Sequence, residues 1–226
     1  MKVWITRTEP VASRLAQRLS QAGVTCLVEP VLGIEATRLK MPDEAFDLVI
    51  FVSVHAANLG KSQLRENLTW YAVGAATASA LQRLDVLCPP TDNETSEGLL
   101  ELPGLQEGNG RVVLLVCGEG GRPLLQDTLR ERGFNVQRFE VYRRIALEVE
   151  APTEVEIIVV GSAQAMRLVA DQWVKGGGDK NIEVVAPSLR VAEIGRSIGF
   201  KNVHNSAGAA MEETYTCVRK LVERHD

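Results

Sequence analysis

The stretch "LLQDTLRERGFNVQRFEV" at residues 124–141 predicts an amphipathic helix, a glycine turn and a β-strand. Leucines recur at helical spacing before Gly133, a residue typical of helix ends. The same pattern occurs earlier, in "RLAQRLSQAGVTCLVEPV" at residues 14–31, where Gly23 takes the place of Gly133. This part of the chain is therefore repeated.

Two further pairs of segments keep nearly the same spacing. The segment "DLVIFVSVHAANL" (47–59) resembles "EIIVVGSAQAMRL" (156–168), and "TSEGLLEL" (95–102) resembles "NSAGAAME" (205–212). All three pairs lie 109 or 110 residues apart and in the same order. A common offset of this kind predicts a duplicated domain.

Apolar strand-like runs alternate with amphipathic helical segments along the whole chain. The predicted strands are "KVWIT", "TCLVEP", "DLVIFVS", "TWYAVG", "RVVLLVC", "NVQRFEVY", "EIIVVGS" and "IEVVAP". This alternation predicts an α/β fold with doubly wound parallel sheets that helices cover on both faces.

Two long extended segments leave the division into domains open. "EPVLGIEATRLK" (29–40) and "FEVYRRIALEVE" (139–150) lie at equivalent places in the repeat. Each is about twice the average strand length of roughly 5 or 6 residues, so each could leave one lobe and enter another. Either the domains are sequential, 1–110 and 111–226, or 31–146 forms one lobe and both chain ends form the other.

Composition and charge exclude several classes of protein. The formal net charge of −4 argues against a nucleic-acid partner. No apolar run approaches the roughly 20 residues of a membrane span, and "MKVWITRTEP" is too short and polar for a signal peptide. The four cysteines form no CxxC pair and the three histidines fall at no metal-ligand spacing. We expect a cytoplasmic, monomeric protein with no metal, no disulfide and no membrane partner.

The segment "CGEGGRPLL" (117–125) is a candidate anion site. It runs from a strand into a helix, and free backbone N–H groups there, with Gly120, Gly121 and Arg122, would form an anion cradle. It is not a dinucleotide fingerprint, because Pro123 stands where the third glycine should be, and it lacks the lysine of a P-loop. A tight strand–helix turn without a ligand explains the segment equally well.

Four other strand ends carry residues that cap helices. Taken singly, such a residue is most often only an N-cap. Together, at the carboxyl ends of parallel strands and facing one cleft, they would offer neutral donors to a polyanion. The residues are Ser53, Gly74 with Thr77, Thr95 with Ser96, and Ser162.

Three residues near helix starts and one tyrosine complete the candidates. Thr6 and Arg7 end the first strand, where Arg7 is either a carboxylate partner or a solvated loop residue. His55 is either a surface residue or a ligand contact.

Tyr142 shares the polar face of an alternating strand. If that face lines a cleft, Tyr142 is a catalytic candidate; otherwise it covers a lobe junction. On that face we place Glu140, Tyr142, Arg144 and Glu148, with Phe139, Val141, Ile145 and Leu147 opposite.

In order, the motifs "ITR", "FVSVHAAN", "YAVGAATASAL", "ETSEGLL", "GEGGRPLLQDTLRERGFNVQRFEVYRR" and "IIVVGSAQ" resemble the uroporphyrinogen-III synthase family. The resemblance implies two α/β lobes joined by a two-stranded antiparallel linker, an outer lobe of 1–35 plus 145–226 and an inner lobe of 36–144. It implies an active site in the cleft between them. It also implies cyclisation of hydroxymethylbilane to uroporphyrinogen III, with ring D inverted through a spiro intermediate and no cofactor.

The family's site residues carry over position by position. Its tyrosine falls on Tyr142, which would donate a proton or a hydrogen bond to the departing hydroxyl of ring A. The second copy of the glycine–threonine turn departs from the family: "SLRVA" has Arg190 and Val191 where threonine and alanine are usual. Ser188 or Arg190 would substitute there. Predicted substrate contacts are Thr6, Arg7, Ser53, His55, Ala56, Gly74, Thr77, Thr95, Ser96, Gly120, Gly121, Arg122, Ser162, Gln164 and Ser188.

Two other functions are alternatives to the cyclisation that the resemblance implies. A non-catalytic, two-lobed protein that binds a small anion would also lack a catalytic triad and a metal set. A nucleotide-dependent enzyme is disfavoured by the broken glycine fingerprint. The resemblance and Tyr142 favour the cyclising lyase of tetrapyrrole (heme) biosynthesis.

Overall fold

Two parallel β-sheets, each in a separate unit of the chain, organise the fold. The computed structural model describes residues 1–64, 67–152 and 154–225. One unit comprises Met1–Gly33 and Ile145–Asp226, and the other comprises Ile34–Arg144. The first unit is therefore built from both ends of the chain and the second from its middle, and the units are not the sequential halves 1–110 and 111–226.

The elements follow one another as strand–helix alternation predicts. In chain order they are β1 (Lys2–Ile5), α1 (Val11–Gln21), β2 (Thr25–Val28), β3 (Leu32–Ala36), β4 (Leu48–Phe51), α2 (Val54–Gly60), β5 (Thr69–Ala72), α3 (Ala75–Leu81), β6 (Val86–Leu87), α4 (Ser96–Leu100), β7 (Val112–Gly118), α5 (Leu124–Glu131), β8 (Asn135–Ala146), β9 (Ile157–Val159), α6 (Ala163–Lys175), β10 (Glu183–Ala186), α7 (Leu189–Ile198), β11 (Asn202–Asn205) and α8 (Met211–His225).

The two sheets share one strand order. The first unit has the order β11-β10-β9-β1-β2, with every pair parallel. The second has β6-β5-β4-β7-β8 in the corresponding places, also parallel, with β3 added beside β8. This correspondence agrees with the duplication that the repeat predicts.

Both faces of each sheet are covered, which explains the unbroken apolar strands. In β4, Leu48 and Ile50 enter one hydrophobic cluster with residues of α4 and α5, while Val49 and Phe51 enter another with residues of α2 and α3. All four side chains are essentially inaccessible to solvent. Successive side chains point to opposite faces of a strand, so a strand buried on both faces must be apolar at every position.

The long extended segments differ from the prediction in length. β8 has 12 residues but runs from Asn135 to Ala146, so residues 147–150 of the predicted second segment lie outside it, and the first segment contains only the five residues of β3. The bonds from Thr37 N–H to Val141 O and from Leu147 N–H to Val31 O place β3 antiparallel to β8. The short strands β6 and β11 were not predicted, because two residues or a polar sequence such as "NVHN" give no apolar pattern.

Candidate active site

The carboxyl ends of the parallel strands β4, β7 and β8 in the second unit surround one pocket. Its volume is about 350 Å³. Ligands of α/β sheets bind at such strand ends, so this pocket is the candidate active site. It is lined by Val52, Ser53, Ser96, Leu115, Cys117, Gly118, Gly120, Gly121, Arg122, Leu125, Arg138, Tyr142 and Arg144. The prediction named six of these residues: Ser53, Ser96, Gly120, Gly121, Arg122 and Tyr142.

An irregularity in the pairing of β7 with β8 positions Tyr142. Cys117 pairs with Glu140, but the next residue, Gly118, pairs with Tyr142, so Val141 is an extra residue in β8. Such bulges redirect side chains and are frequent beside active sites. The predicted alternation is therefore wrong at this point: Val141 and Tyr142 are both buried in the same hydrophobic cluster, and Tyr142 does not share a polar face with Glu140.

The phenol ring of Tyr142 lies directly over Gly118. A Cβ atom added to Gly118 would lie 2.5 Å from two carbons of the ring, so only glycine allows this approach. The ring is 3% exposed, and its hydroxyl is 3.2 Å from Ser53 Oγ. The His55 ring meets the Tyr142 ring edge-on at 5.7 Å between centroids, and the Arg144 guanidinium lies 5.9 Å from the Tyr142 centroid.

Side-chain N-caps form at four helices, and three of them, at Ser53, Thr95 and Ser162, were predicted. Ser53 Oγ accepts the Ala56 N–H at 3.1 Å, and Thr95 Oγ1 accepts the Gly98 N–H at 3.0 Å. Ser162 and Ser188 cap α6 and α7 in the same way, at 3.1 and 3.4 Å. Thr95 also donates its hydroxyl to Asn93, so its hydrogen is used inside the protein, and Ser96 rather than Thr95 lines the pocket. Ala56 is buried and contributes only its N–H.

A carboxylate of the protein itself occupies the helix start at Gly74. Glu94 Oε1 accepts the Ala75 N–H at 2.9 Å, and the Glu94 side chain lies against Gly74. Thr77 is 4% exposed. Neither Gly74 nor Thr77 lines the pocket, so this structure does not bring them to the site that Tyr142 occupies.

Three arginines give the pocket a positive lining, of which the sequence analysis predicted only Arg122, beside neutral donors. Arg138 binds Glu140 Oε1 through Nε and Nη2 at 3.0 and 2.8 Å. Arg122 is 3.9 Å from a carboxylate oxygen of Glu97. Within the described lining no aspartate or glutamate is present. Arg138 and Arg144 were missed, because on an alternating strand they look like ordinary solvated charges.

The predicted contacts from the first unit are placed as follows. Thr6 is 1% exposed and donates its hydroxyl to Val159 O at 2.8 Å, so its side chain belongs to the core. The Arg7 guanidinium donates to Ala209 O and to Thr214 Oγ1, and burial lowers its pKa. Arg7 is therefore engaged within its own unit. Ser162 and Ser188 cap helices, as above, and Gln164 is exposed on α6.

Burial keeps two ionisable groups near Tyr142 uncharged. It raises the pKa of the Cys117 thiol to about 11, with a smaller opposing effect of Arg138. Cys117 is thus a thiol at neutral pH and not an activated nucleophile. Burial, and secondarily the charge of Arg144, lower the pKa of His55. His55 is therefore neutral at pH 7, so neither Cys117 nor His55 places a charge beside the Tyr142 ring.

The described residues contain neither a membrane-spanning helix nor a metal-binding cluster. Among residues 1–64, 67–152 and 154–225, no helix is both long and apolar enough to cross a membrane. In the same part of the chain, no group of three or more His, Cys, Asp or Glu side chains is arranged to hold a metal ion.

Comparison with solved structures identifies the fold. Uroporphyrinogen III synthase of the bacterium Thermus thermophilus, in a mutant form, has a TM-score of 0.58 with 21% identity, and the match covers 99% of each chain. The structure of uroporphyrinogen-III synthetase from Helicobacter pylori 26695 has a TM-score of 0.64 with 17% identity, over 97% of this chain and 98% of that one. At these identities the likeness shows the α/β fold.

Sequence comparison identifies the family. A family model described as uroporphyrinogen-III synthase HemD matches residues 13–215. The uroporphyrinogen-III synthase of Salmonella typhimurium is 32% identical, and that of Escherichia coli K12 is 29% identical; each match covers 90% of this chain and 94% of the relative. The chain belongs to the uroporphyrinogen-III synthase family.

Proposed function

We propose that this chain cyclises hydroxymethylbilane to uroporphyrinogen III, with inversion of ring D and loss of water, in the pocket of the second unit. It is a lyase of tetrapyrrole and heme biosynthesis and uses no cofactor. One observation carries the assignment of the site: the Tyr142 hydroxyl lies in a pocket whose charged lining residues are all arginines. That combination offers an acid and binding partners for carboxylates in one place.

The acid step requires a neutral donor beside the hydroxymethyl group of ring A. Tyrosine is protonated at neutral pH and can donate a proton or a hydrogen bond. As the carbon–oxygen bond breaks, the electron pair leaves with oxygen, and the proton from Tyr142 completes the water molecule. The pyrrole nitrogen delocalises the resulting positive charge. Ring D then attacks through its substituted α carbon to form the spiro intermediate. The older bond from that carbon to the methylene of ring C breaks, and the methylene bonds to the other α carbon of ring D, which inverts the ring. The proton that this second carbon loses restores the phenol.

The arginines match the chemistry of the substrate. Hydroxymethylbilane carries eight carboxylates, and a guanidinium binds a carboxylate through two parallel hydrogen bonds. Arg138 is half-buried and held in place by Glu140, so little of its side-chain freedom remains to be lost on binding. Arg144 and Arg122 are exposed at the same pocket and can reorient toward a flexible ligand.

The two units correspond, in our proposal, to the inner and outer lobes of the family, 36–144 and 1–35 with 145–226. The antiparallel strands β3 and β8 would form the linker, because each continues across a boundary between the units. Contributions of Arg7, Ser162, Gln164, Ser188 and Arg190 to substrate binding stay predictions. The monomeric state and the cytoplasmic location also stay predictions.

The test is the identity of the product isomer. Hydroxymethylbilane closes by itself without inverting ring D, which gives the type I isomer. We expect the purified chain to yield the type III isomer, whereas the heat-denatured chain yields type I only. After oxidation, the isomers are separated chromatographically. Type I product alone from the folded protein would contradict the proposal.

A further inference from the structure

The Tyr142 hydroxyl has one hydrogen-bond partner in the described part of the chain, the hydroxyl of Ser53, at 3.2 Å. We propose that Ser53 is a positioning residue: it donates its hydrogen to the Tyr142 oxygen and so leaves the phenolic hydrogen free for the substrate. This inference rests on the proposed function, because it concerns the proton that Tyr142 delivers. It differs from the sequence-based prediction, in which Ser53 binds a substrate carboxylate.

A count of donors and acceptors leaves two directions for the hydrogen bond, and the acid role of Tyr142 selects one of them. A serine hydroxyl has one hydrogen and two lone pairs. The Ala56 N–H can only donate, and it uses one lone pair of Ser53 Oγ. If Tyr142 donated to Ser53, the phenolic hydrogen would be used inside the protein, and only the Ser53 hydrogen would be left for a ligand. If Ser53 donates to Tyr142, the phenolic hydrogen is left for the ligand. A phenol is a stronger acid than an aliphatic hydroxyl, so this is the direction that the acid role of Tyr142 requires.

Ser53 is held firmly enough to act in this way. Its backbone is extended, with φ −166° and ψ 162°, and its side chain caps α2. On the other side, the Tyr142 ring rests on Gly118 and meets the edge of His55. The phenol oxygen is thus fixed between a helix cap and a strand. Its remaining freedom is rotation of the O–H bond, and a hydrogen bond donated by Ser53 selects the orientation toward the pocket.

The duplicated unit shows that the fold does not require this contact. Ser162 is the counterpart of Ser53, with φ −163° and ψ 168°, and it accepts the Ala165 N–H at the same distance of 3.1 Å. The counterpart of Tyr142, 110 residues earlier, is Leu32, a buried residue without a hydroxyl. The serine cap therefore forms without a tyrosine partner, and the Ser53–Tyr142 contact is an additional feature of the second unit.

A double-mutant cycle tests the proposal with Ser53→Ala, Tyr142→Phe and the combined variant. Hydroxymethylbilane turnover is measured per folded molecule, and product affinity is measured separately. We expect Ser53→Ala to lower kcat about 3- to 10-fold, the value of one neutral hydrogen bond. Ser53→Thr, which keeps the oxygen, should restore kcat. In the Tyr142→Phe background, Ser53→Ala should cause no further loss. Ser162→Ala removes the matching cap and gives the stability cost of cap loss alone.

The outcomes separate this inference from the proposed function. If Tyr142→Phe is slow but Ser53→Ala lowers kcat by the same factor in both backgrounds, Ser53 does not act through Tyr142 and the inference is wrong, while the proposed function stands. A loss confined to KM and product affinity would instead assign Ser53 to a carboxylate and would also overturn it. If Tyr142→Phe turns over at the wild-type rate, the acid role of Tyr142 and this inference both fail.

Discussion

Replacing Gly118 with alanine tests how closely the site depends on the position of the Tyr142 ring. The new Cβ atom would lie 2.5 Å from two ring carbons, whereas non-bonded carbons rest about 3.5–4.0 Å apart. The ring must therefore move by about 1 Å. Such a shift breaks the 3.2 Å contact with Ser53 and displaces the hydroxyl from the substrate. Misplacement by about 1 Å can cost on the order of 100-fold in rate, so we expect turnover to fall about 10- to 100-fold.

A second glycine beneath a tyrosine provides the matched control. A Cβ atom on Gly104 would lie 2.1 Å from the hydroxyl of Tyr71, away from the pocket lining. Both Gly118→Ala and Gly104→Ala should reduce stability by about 1–3 kcal/mol through overpacking. Only Gly118→Ala should reduce turnover per folded molecule, measured with hydroxymethylbilane below both thermal midpoints. Wild-type turnover of Gly118→Ala in folded protein would refute the reasoning.

Two other predictions concern the charges around the ring. Arg138→Gln should weaken product binding about 10- to 100-fold, which is the value of a hydrogen bond to a charged group. Arg130→Gln, on α5 and outside the pocket lining, is the control and should leave product binding unchanged. Equal product affinities of the two variants would remove Arg138 from the site. Burial and Arg144 lower the pKa of His55 in the folded protein, so on acidification the unfolded chain binds a proton at His55 before the folded protein does. The free energy of unfolding should therefore fall as the pH drops from about 6.5 toward that lowered pKa. His55→Gln should lose this slope, and Arg144→Gln should raise the pKa of His55 in an NMR titration; an unchanged slope and titration would contradict the assignment.

Most of the fold could be predicted from the sequence, because a strand buried on both faces must be apolar throughout and a surface helix must be amphipathic. Those constraints predict the strands β4, β7 and β9. The caps at Ser53 and Ser162 follow from the preference for serine at the start of a helix. They do not apply to β6 and β11, which are short or polar and lie at sheet edges.

The details of the site could not be predicted in the same way. A one-residue bulge reverses the alternation of a strand without changing its composition, so Tyr142 was expected on a polar face although it is buried. Glu94 reaches Ala75 from a separate loop, 19 residues along the chain, and no local pattern indicates that contact. Arg138 and Arg144 become recognisable as pocket residues only when the strand is placed beside β7.

The central claim is that the Tyr142 hydroxyl protonates the leaving group, and Tyr142→Phe tests it most directly. The substitution keeps the ring over Gly118, so the thermal midpoint and product binding should remain close to wild type. General acid catalysis contributes about 10²–10⁴-fold, part of which water can recover, so turnover should fall on the order of 10–1000-fold. As hydroxymethylbilane then closes by itself, the type I isomer should accumulate. Type III product formed by Tyr142→Phe at the wild-type rate would contradict the account.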